Sequence, residues 1–274
     1  MKFFHKIIRN KEEDEPINRG HLERIIAITN QKGGVGKSTT AVNVSAYLSA
    51  YGYKTLLVDL DPQNNSTSGL GVNQSNLKET IYDIIIHESE PRDVILDTEY
   101  ENLKIIPSSI QLAGAEVELV SSLKREFKLK EAISKIEKEY DFIIIDCPPA
   151  LGLLTINALT AAKEVIIPIQ CEYYALEGLG QLLNTIDLVK KNLNDDLKIK
   201  GAIMTMYDPR VKLAGQVIEE VKNYFSEKVY KTIIPRNIRL SEAPSYGKPI
   251  MDYDPECKGA EAYNNFTKEV IEND

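Results

Sequence analysis

The run Asn30-Gln31-Lys32-Gly33-Gly34-Val35-Gly36-Lys37-Ser38-Thr39 holds the densest set of groups in the sequence able to grip a phosphate. Its glycines let the backbone curl until successive N–H groups converge on an anion, and a helix starting behind them adds its positive end. Lys37 supplies a cation for the β and γ phosphates of a nucleotide, and Ser38 the hydroxyl that such loops place on magnesium. Gly33, Gly34, Val35, Gly36 and Thr39 complete the cradle. ATP and Mg2+ are the expected ligands. Two positions depart from the G-x-x-x-x-G-K-[ST] spacing: Gln31 stands where the first glycine belongs, and Lys32 is a cation the spacing does not ask for.

Carboxylates follow in the order this chemistry needs. In Val58-Asp59-Leu60-Asp61-Pro62, side chains two apart at a strand end point the same way, so Asp59 and Asp61 are both expected to face the phosphates, near magnesium and the attacking water. An Asp-Pro pair also simply opens turns, and taken alone that explains these acids equally well. Phe142–Asp146 is an apolar run closed by an acid, the Walker B form in which Asp146 holds magnesium, usually through water.

These groups need a scaffold that sets several strand ends side by side. Strand-like runs fall at 25–29, 55–60, 103–106, 141–146, 165–169, 200–206 and 229–234, mostly apolar at successive positions, as in strands covered on both faces. Helix-length segments separate them; in 214–225, Ala214, Val217, Ile218, Val221 and Tyr224 mark one helical face. The alternation predicts an α/β fold, a doubly wound, mostly parallel sheet with helices on both faces and its ligand beyond the carboxyl ends of the strands; with the glycine loop after its first strand, the fold resembles a P-loop NTPase. The 274 residues, 43% hydrophobic and 27% charged, suit one domain over 23–274, with 1–22 read as a flexible extension whose Phe3, Phe4, Ile7 and Ile8 have helical spacing. No cleavable signal is legible there, since His5 and Lys6 interrupt the apolar stretch. Three cysteines without paired spacing point to a reducing, cytoplasmic setting. No apolar run approaches the ~20 residues of a membrane helix, so no membrane partner is expected.

The combination Lys32-Gly33-Gly34-Val35-Gly36-Lys37-Ser38 resembles the deviant Walker A loop of the ParA/MinD class of ATPases, in which the extra lysine reaches across a dimer interface to the partner's nucleotide. Lys32 takes that place here, and a second cation beside a transferring phosphoryl group stabilises the charge developing there. The stretches NQKGGVGKSTTAVN, LLVDLDPQNNSTSGLG, IQLAGAEVELV, IIIDCPPALGLLTINAL, PIQCEYYALEGLGQLLNTI and IPRNIRLSEAPSYGKPI narrow the resemblance to the ParA/Soj partition ATPases, from about Arg24 onward. The resemblance implies an ATP sandwich homodimer, bound non-specifically to DNA in the cytoplasm and over the nucleoid. It implies a ParB-type centromere-binding partner that stimulates hydrolysis and so releases the DNA. It also implies that Asp61 prepares the hydrolytic water, that Arg210 and Arg239 contact DNA, and that adenine lies near Met206, Pro235 and Asn237. Ser38 stands for the more usual threonine and keeps the hydroxyl; Asn64 stands where glycine is frequent and tolerates the left-handed conformation.

The overall charge of −8 excludes attraction of the whole molecule to nucleic acid, but from Asp208 to Lys248 eight Lys and Arg face five acids, a local excess of three. Two rivals share the loop. A membrane-surface positioning ATPase of the MinD type needs a basic amphipathic C-terminal helix, whereas this chain ends GAEAYNNFTKEVIEND. An iron-protein type reductase needs bridging cysteines, for which Cys147 and Cys171 are the candidates, each set among apolar neighbours.

Overall fold

The computed structural model describes residues 23–172, 178–226 and 228–272; the expected extension over 1–22 lies outside them. Among the described residues eight strands form one sheet: β1 Arg24–Ile28, β2 Thr55–Asp59, β3 Leu96–Asp97, β4 Leu103–Ile106, β5 Phe142–Asp146, β6 Glu164–Gln170, β7 Lys198–Tyr207 and β8 Val229–Pro235. Their order is β3-β4-β2-β5-β1-β6-β7-β8, parallel throughout except for β3, which runs antiparallel to β4. The two-residue β3 is too short to leave a pattern in sequence. The chain leaves β1 toward one edge and returns through β5 to build the other half from β6 onward, so the winding reverses at β1 and β5, where such sheets bind their ligands.

The continuous apolar runs divide between two cores by strand alternation. Ile25, Ala27, Ile143 and Ile145 face one core; Ile26, Ile28, Phe142 and Ile144 face the other. The longer helices cover both faces. Helix α1 (Lys37–Ala50) and helix α5 (Lys258–Glu272) close the second core with Val44, Leu48, Tyr263 and Phe266. Helices α2 (Leu153–Ala161), α3 (Leu179–Asn192) and α4 (Lys212–Phe225) close the first with Leu154, Leu182 and Val217. In α4 the expected face needs one change: Phe225 is buried and Tyr224 is 56% exposed, since Phe225 falls four residues after Val221 on the inward stripe.

Candidate nucleotide site

At the carboxyl end of β1 the loop is tied to β6 and β7. Asn30 donates to the Pro168 carbonyl (2.7 Å) and accepts the Lys32 N–H (3.0 Å), and the Thr205 hydroxyl donates to the Val35 carbonyl (2.9 Å). Gly34 and Gly36 adopt left-handed φ of 73° and 88°, a turn in which a side chain would be strained, and Gly36 immediately precedes α1. The Lys37 ammonium is buried and donates to the Lys32 carbonyl (3.1 Å). Burial lowers its pKa, and the nearby Asp146 and Asp61 carboxylates oppose that shift.

Around the loop lies a cavity of about 380 Å³. Gly33, Gly34, Gly36, Lys37, Ser38 and Thr39 line one side; Asp61, Gln63, Asn65 and Pro149 another; Val42, Met206, Leu240, Ala243 and Pro244 form an apolar wall, with Asn43 and Lys248 beside it. Asn43 also accepts the Ile250 N–H (2.7 Å), tying this wall to α1. Val35 is buried beneath the loop.

The carboxylates separate into different settings. Asp61 lines the cavity, and one of its oxygens accepts the Gln63 N–H (2.9 Å). Asp59 does not share that orientation: it is fully buried and accepts the Asp61 N–H (3.2 Å), the Thr67 N–H (2.8 Å) and the Thr67 hydroxyl (2.7 Å). The two acids therefore do not share the orientation expected of them: Asp61 lines the cavity and Asp59 does not, because Asp59 ends β2 and the chain turns out of the strand at once. Asp59 is the register partner of Asp146 across β2 and β5. Burial and this neighbouring acid push the Asp59 pKa up. Burial also raises that of Asp146, against the hydroxyls of Ser66 and Ser38.

One oxygen of Asp146 accepts the Ser66 hydroxyl (2.7 Å); the other is buried and has no hydrogen-bond partner among the described residues. A buried, unpaired carboxylate oxygen beside Ser38 is costly unless a cation meets it, and hard oxygen donors are what magnesium takes. The donor set and the cradle fit a nucleotide and its magnesium. When bound, the ion would offset phosphate charge; Ser38 and Asp146 are the residues placed to hold it.

Of the expected base contacts, Met206 lies on the apolar wall, with a left-handed φ of 54°. Pro235 pairs with Tyr207 at the end of β8, and Asn237 instead caps the Ile238–Glu242 turn by accepting the Arg239 N–H (2.8 Å). Neither lines the cavity; from this stretch Leu240, within that turn, and Ala243 and Pro244, just after it, do. Arg210 and Arg239 lie outside it, exposed and ion-paired with Asp208 (2.7 Å) and with Glu242 (2.9 Å) and Asp254 (3.3 Å). Lys32 is not among the residues lining the cavity, and its ammonium lies 3.7 Å from Glu172. The residues that sequence reasoning missed are Asn30, Thr205, Ser66 and Thr67; only Ser66 and Thr67 left a signal, a cluster of cap-forming Asn, Ser and Thr directly after Asp61.

A family model described as an AAA domain matches residues 23–199. The chain is 60% identical over 252 residues to the sporulation initiation inhibitor protein Soj of Bacillus subtilis, covering 92% of this chain and 100% of that protein. It is 54% identical to the chromosome partitioning protein ParA of Myxococcus xanthus, covering 92% and 89%. Among solved structures it is similar to a protein of Mycobacterium smegmatis described as cobyrinic acid a,c-diamide synthase with bound ATP analogue and magnesium, at 38% identity and a TM-score of 0.82, covering 90% and 94%.

Proposed function

Because the chain belongs to the Soj/ParA family of chromosome-partitioning ATPases, we propose that it binds ATP and magnesium at the cavity beyond β1 and pairs with a second copy through the same face. In that pair Lys32 meets the partner's nucleotide, Asp61 orients the hydrolytic water, and the aligned Arg210 and Arg239 of two chains hold DNA by its phosphates. A ParB-type centromere-binding protein stimulates hydrolysis and releases the DNA. The protein works in the cytoplasm, over the nucleoid.

The observation that carries this reading is the bare outer face of the loop. Gly33 and Gly34 are exposed, and a Cβ built on either would meet nothing within 4 Å in the single chain. Glycine at Gly33 is therefore not required by the chain's own packing, and its neighbour Lys32 is a cation whose only ion pair among the described residues is the 3.7 Å contact with Glu172. A second subunit gives both features a purpose.

The rivals fit less well. Helix α5 is docked by Ala260, Tyr263, Phe266 and Val270, with the Tyr263 hydroxyl against that of Thr40 (3.1 Å), so its apolar face is taken. Cys147 and Cys171 are buried; burial pushes both thiols up, Cys171 to about 12, away from the thiolate a cluster requires. The amide-synthase description comes from a protein at 38% identity, against 60% and 54% for the partition proteins.

Sedimentation and DNA binding with ATP, ADP and no nucleotide test the proposal. ATP alone should give a dimer that retains DNA. Gly33→Val should keep ATP affinity within a few-fold yet stay monomeric and off DNA; a variant that dimerises normally would refute a subunit contact at the loop.

A further inference from the structure

The signature cation is already occupied in the single chain. The Lys32 ammonium lies 3.7 Å from Glu172, whose carboxylate also receives the Gln170 amide (2.5 Å) and stands 3.5 Å from the Arg236 guanidinium. The neighbouring Gln31 amide donates to Gln181 (2.9 Å), so two adjacent loop residues lean on the chain that follows β6. The Lys32 backbone is fixed at both its ends, by Asn30 on its N–H and by Lys37 on its carbonyl. What remains free to move is the side chain beyond Cα.

From this geometry we infer that Glu172 is a positioning residue that parks Lys32 within its own subunit, and that pairing of two ATP-bound chains requires Lys32 to exchange this carboxylate for the partner's phosphates. The inference rests on the reading of Lys32 as the cation acting across the dimer. The exchange costs an ion pair and no refolding, because the loop backbone stays where Asn30 and Lys37 hold it. Arg236 remains with Glu172 when Lys32 leaves, so the carboxylate is not stranded without a counter-charge. The pair therefore sets a threshold for dimerisation: an unliganded chain keeps its lysine at home, and only a charge denser than one carboxylate, the triphosphate, draws it away.

The test is the dimerisation constant by sedimentation with a non-hydrolysable ATP analogue, for the parent chain, Glu172→Gln and Lys32→Ala. Exposed ion pairs of this kind are weak, and a symmetric dimer breaks two of them, so Glu172→Gln should tighten the dimer by about 2- to 30-fold. Glu172→Asp, which withdraws the charge by one methylene, should shift it less in the same direction. A gain in affinity is the informative sign, since mere damage to the β6 end would weaken pairing. An unchanged or weaker dimer in Glu172→Gln, with pairing abolished in Lys32→Ala, would overturn the parking role and leave the cross-subunit role of Lys32 standing. Normal pairing of Lys32→Ala would overturn both.

Discussion

The nucleotide end of the sheet and the basic segment beyond β7 use the same charged side chains in opposite ways. At the first, Asp59, Asp146 and Lys37 are buried, and the carboxylates are held by groups up to 80 residues away, as Ser66 holds Asp146. At the second, Arg210 is 85% exposed and paired with Asp208 two residues back, and Arg239 pairs with Glu242 and Asp254. Buried charges depend on their partners, because an unpaired one costs several kcal/mol. Exposed pairs are worth about 0–1 kcal/mol and exchange readily for another ion. The first region is thus a fixed machine, and the second a surface whose arginines can leave their acids for phosphate without refolding.

Substitutions at the fixed end test that contrast most strongly. Asp61→Ala removes a group that lines the cavity and leaves Lys37, Ser38 and Asp146 in place; turnover should fall by about 10²- to 10⁴-fold while ATP binding and DNA retention persist. Lys37→Ala should weaken ATP binding on the order of 10²- to 10³-fold, measured by titration calorimetry, since it takes the buried counter-charge from Asp146. Retention of affinity within a few-fold would remove that lysine from the phosphates. Asp59→Asn should act differently from Asp61→Ala. It sets an amide against the donors of Thr67 and Asp61 and should cost about 1–3 kcal/mol in denaturant unfolding, with turnover per folded molecule within a few-fold of the parent. A loss of turnover equal to that of Asp61→Ala at unchanged stability would return Asp59 to the chemistry.

That divergence marks where sequence reasoning stopped working. The loop, β1 and β5 were legible because glycine, lysine and runs of isoleucine each have few uses, and a sheet covered on both faces leaves no alternation to misread. The shared orientation of Asp59 and Asp61 failed because alternation applies only inside a strand, and the Asp61 N–H itself turns back onto Asp59. Pro235 and Asn237 do not line the cavity, and the Asn237 side chain is taken up as a cap on the Arg239 N–H. The Thr205 hydroxyl escaped notice because a threonine announces no partner, and Ser66 and Thr67 showed only as part of a cap-forming cluster whose acids the fold supplies.

On the exchangeable side, Arg210→Glu or Arg239→Glu should weaken binding to all DNA sequences alike, roughly tenfold or more near physiological salt. Each should also flatten the dependence of log affinity on log salt by ~0.9 for every phosphate no longer neutralised, twice that in a dimer. Dimerisation with ATP should survive. Loss of pairing in either variant would show that its arginine belongs to the subunit contact, and the two regions would no longer be separable.

The smallest effect is expected at Asp208, where it is also the most discriminating. Its hydrogen bonds from the Arg210 side chain and backbone hold its pKa down at about 2, below the unfolded value of about 3.9. A folded value below the unfolded one contributes stability that is complete above pH ~4 and is lost as the pH falls toward 2. The stability difference between Asp208→Asn and the parent should therefore be small and constant from pH 8 to 5, and vanish only in acid. DNA binding of the same variant gives the sharper answer. If Arg210 trades its carboxylate for phosphate, removing the competitor should strengthen ATP-dependent DNA binding by a few-fold, read by fluorescence anisotropy at fixed salt. If Asp208 instead aims the guanidinium at DNA, binding should fall, and the basic segment would be as preorganised as the nucleotide end.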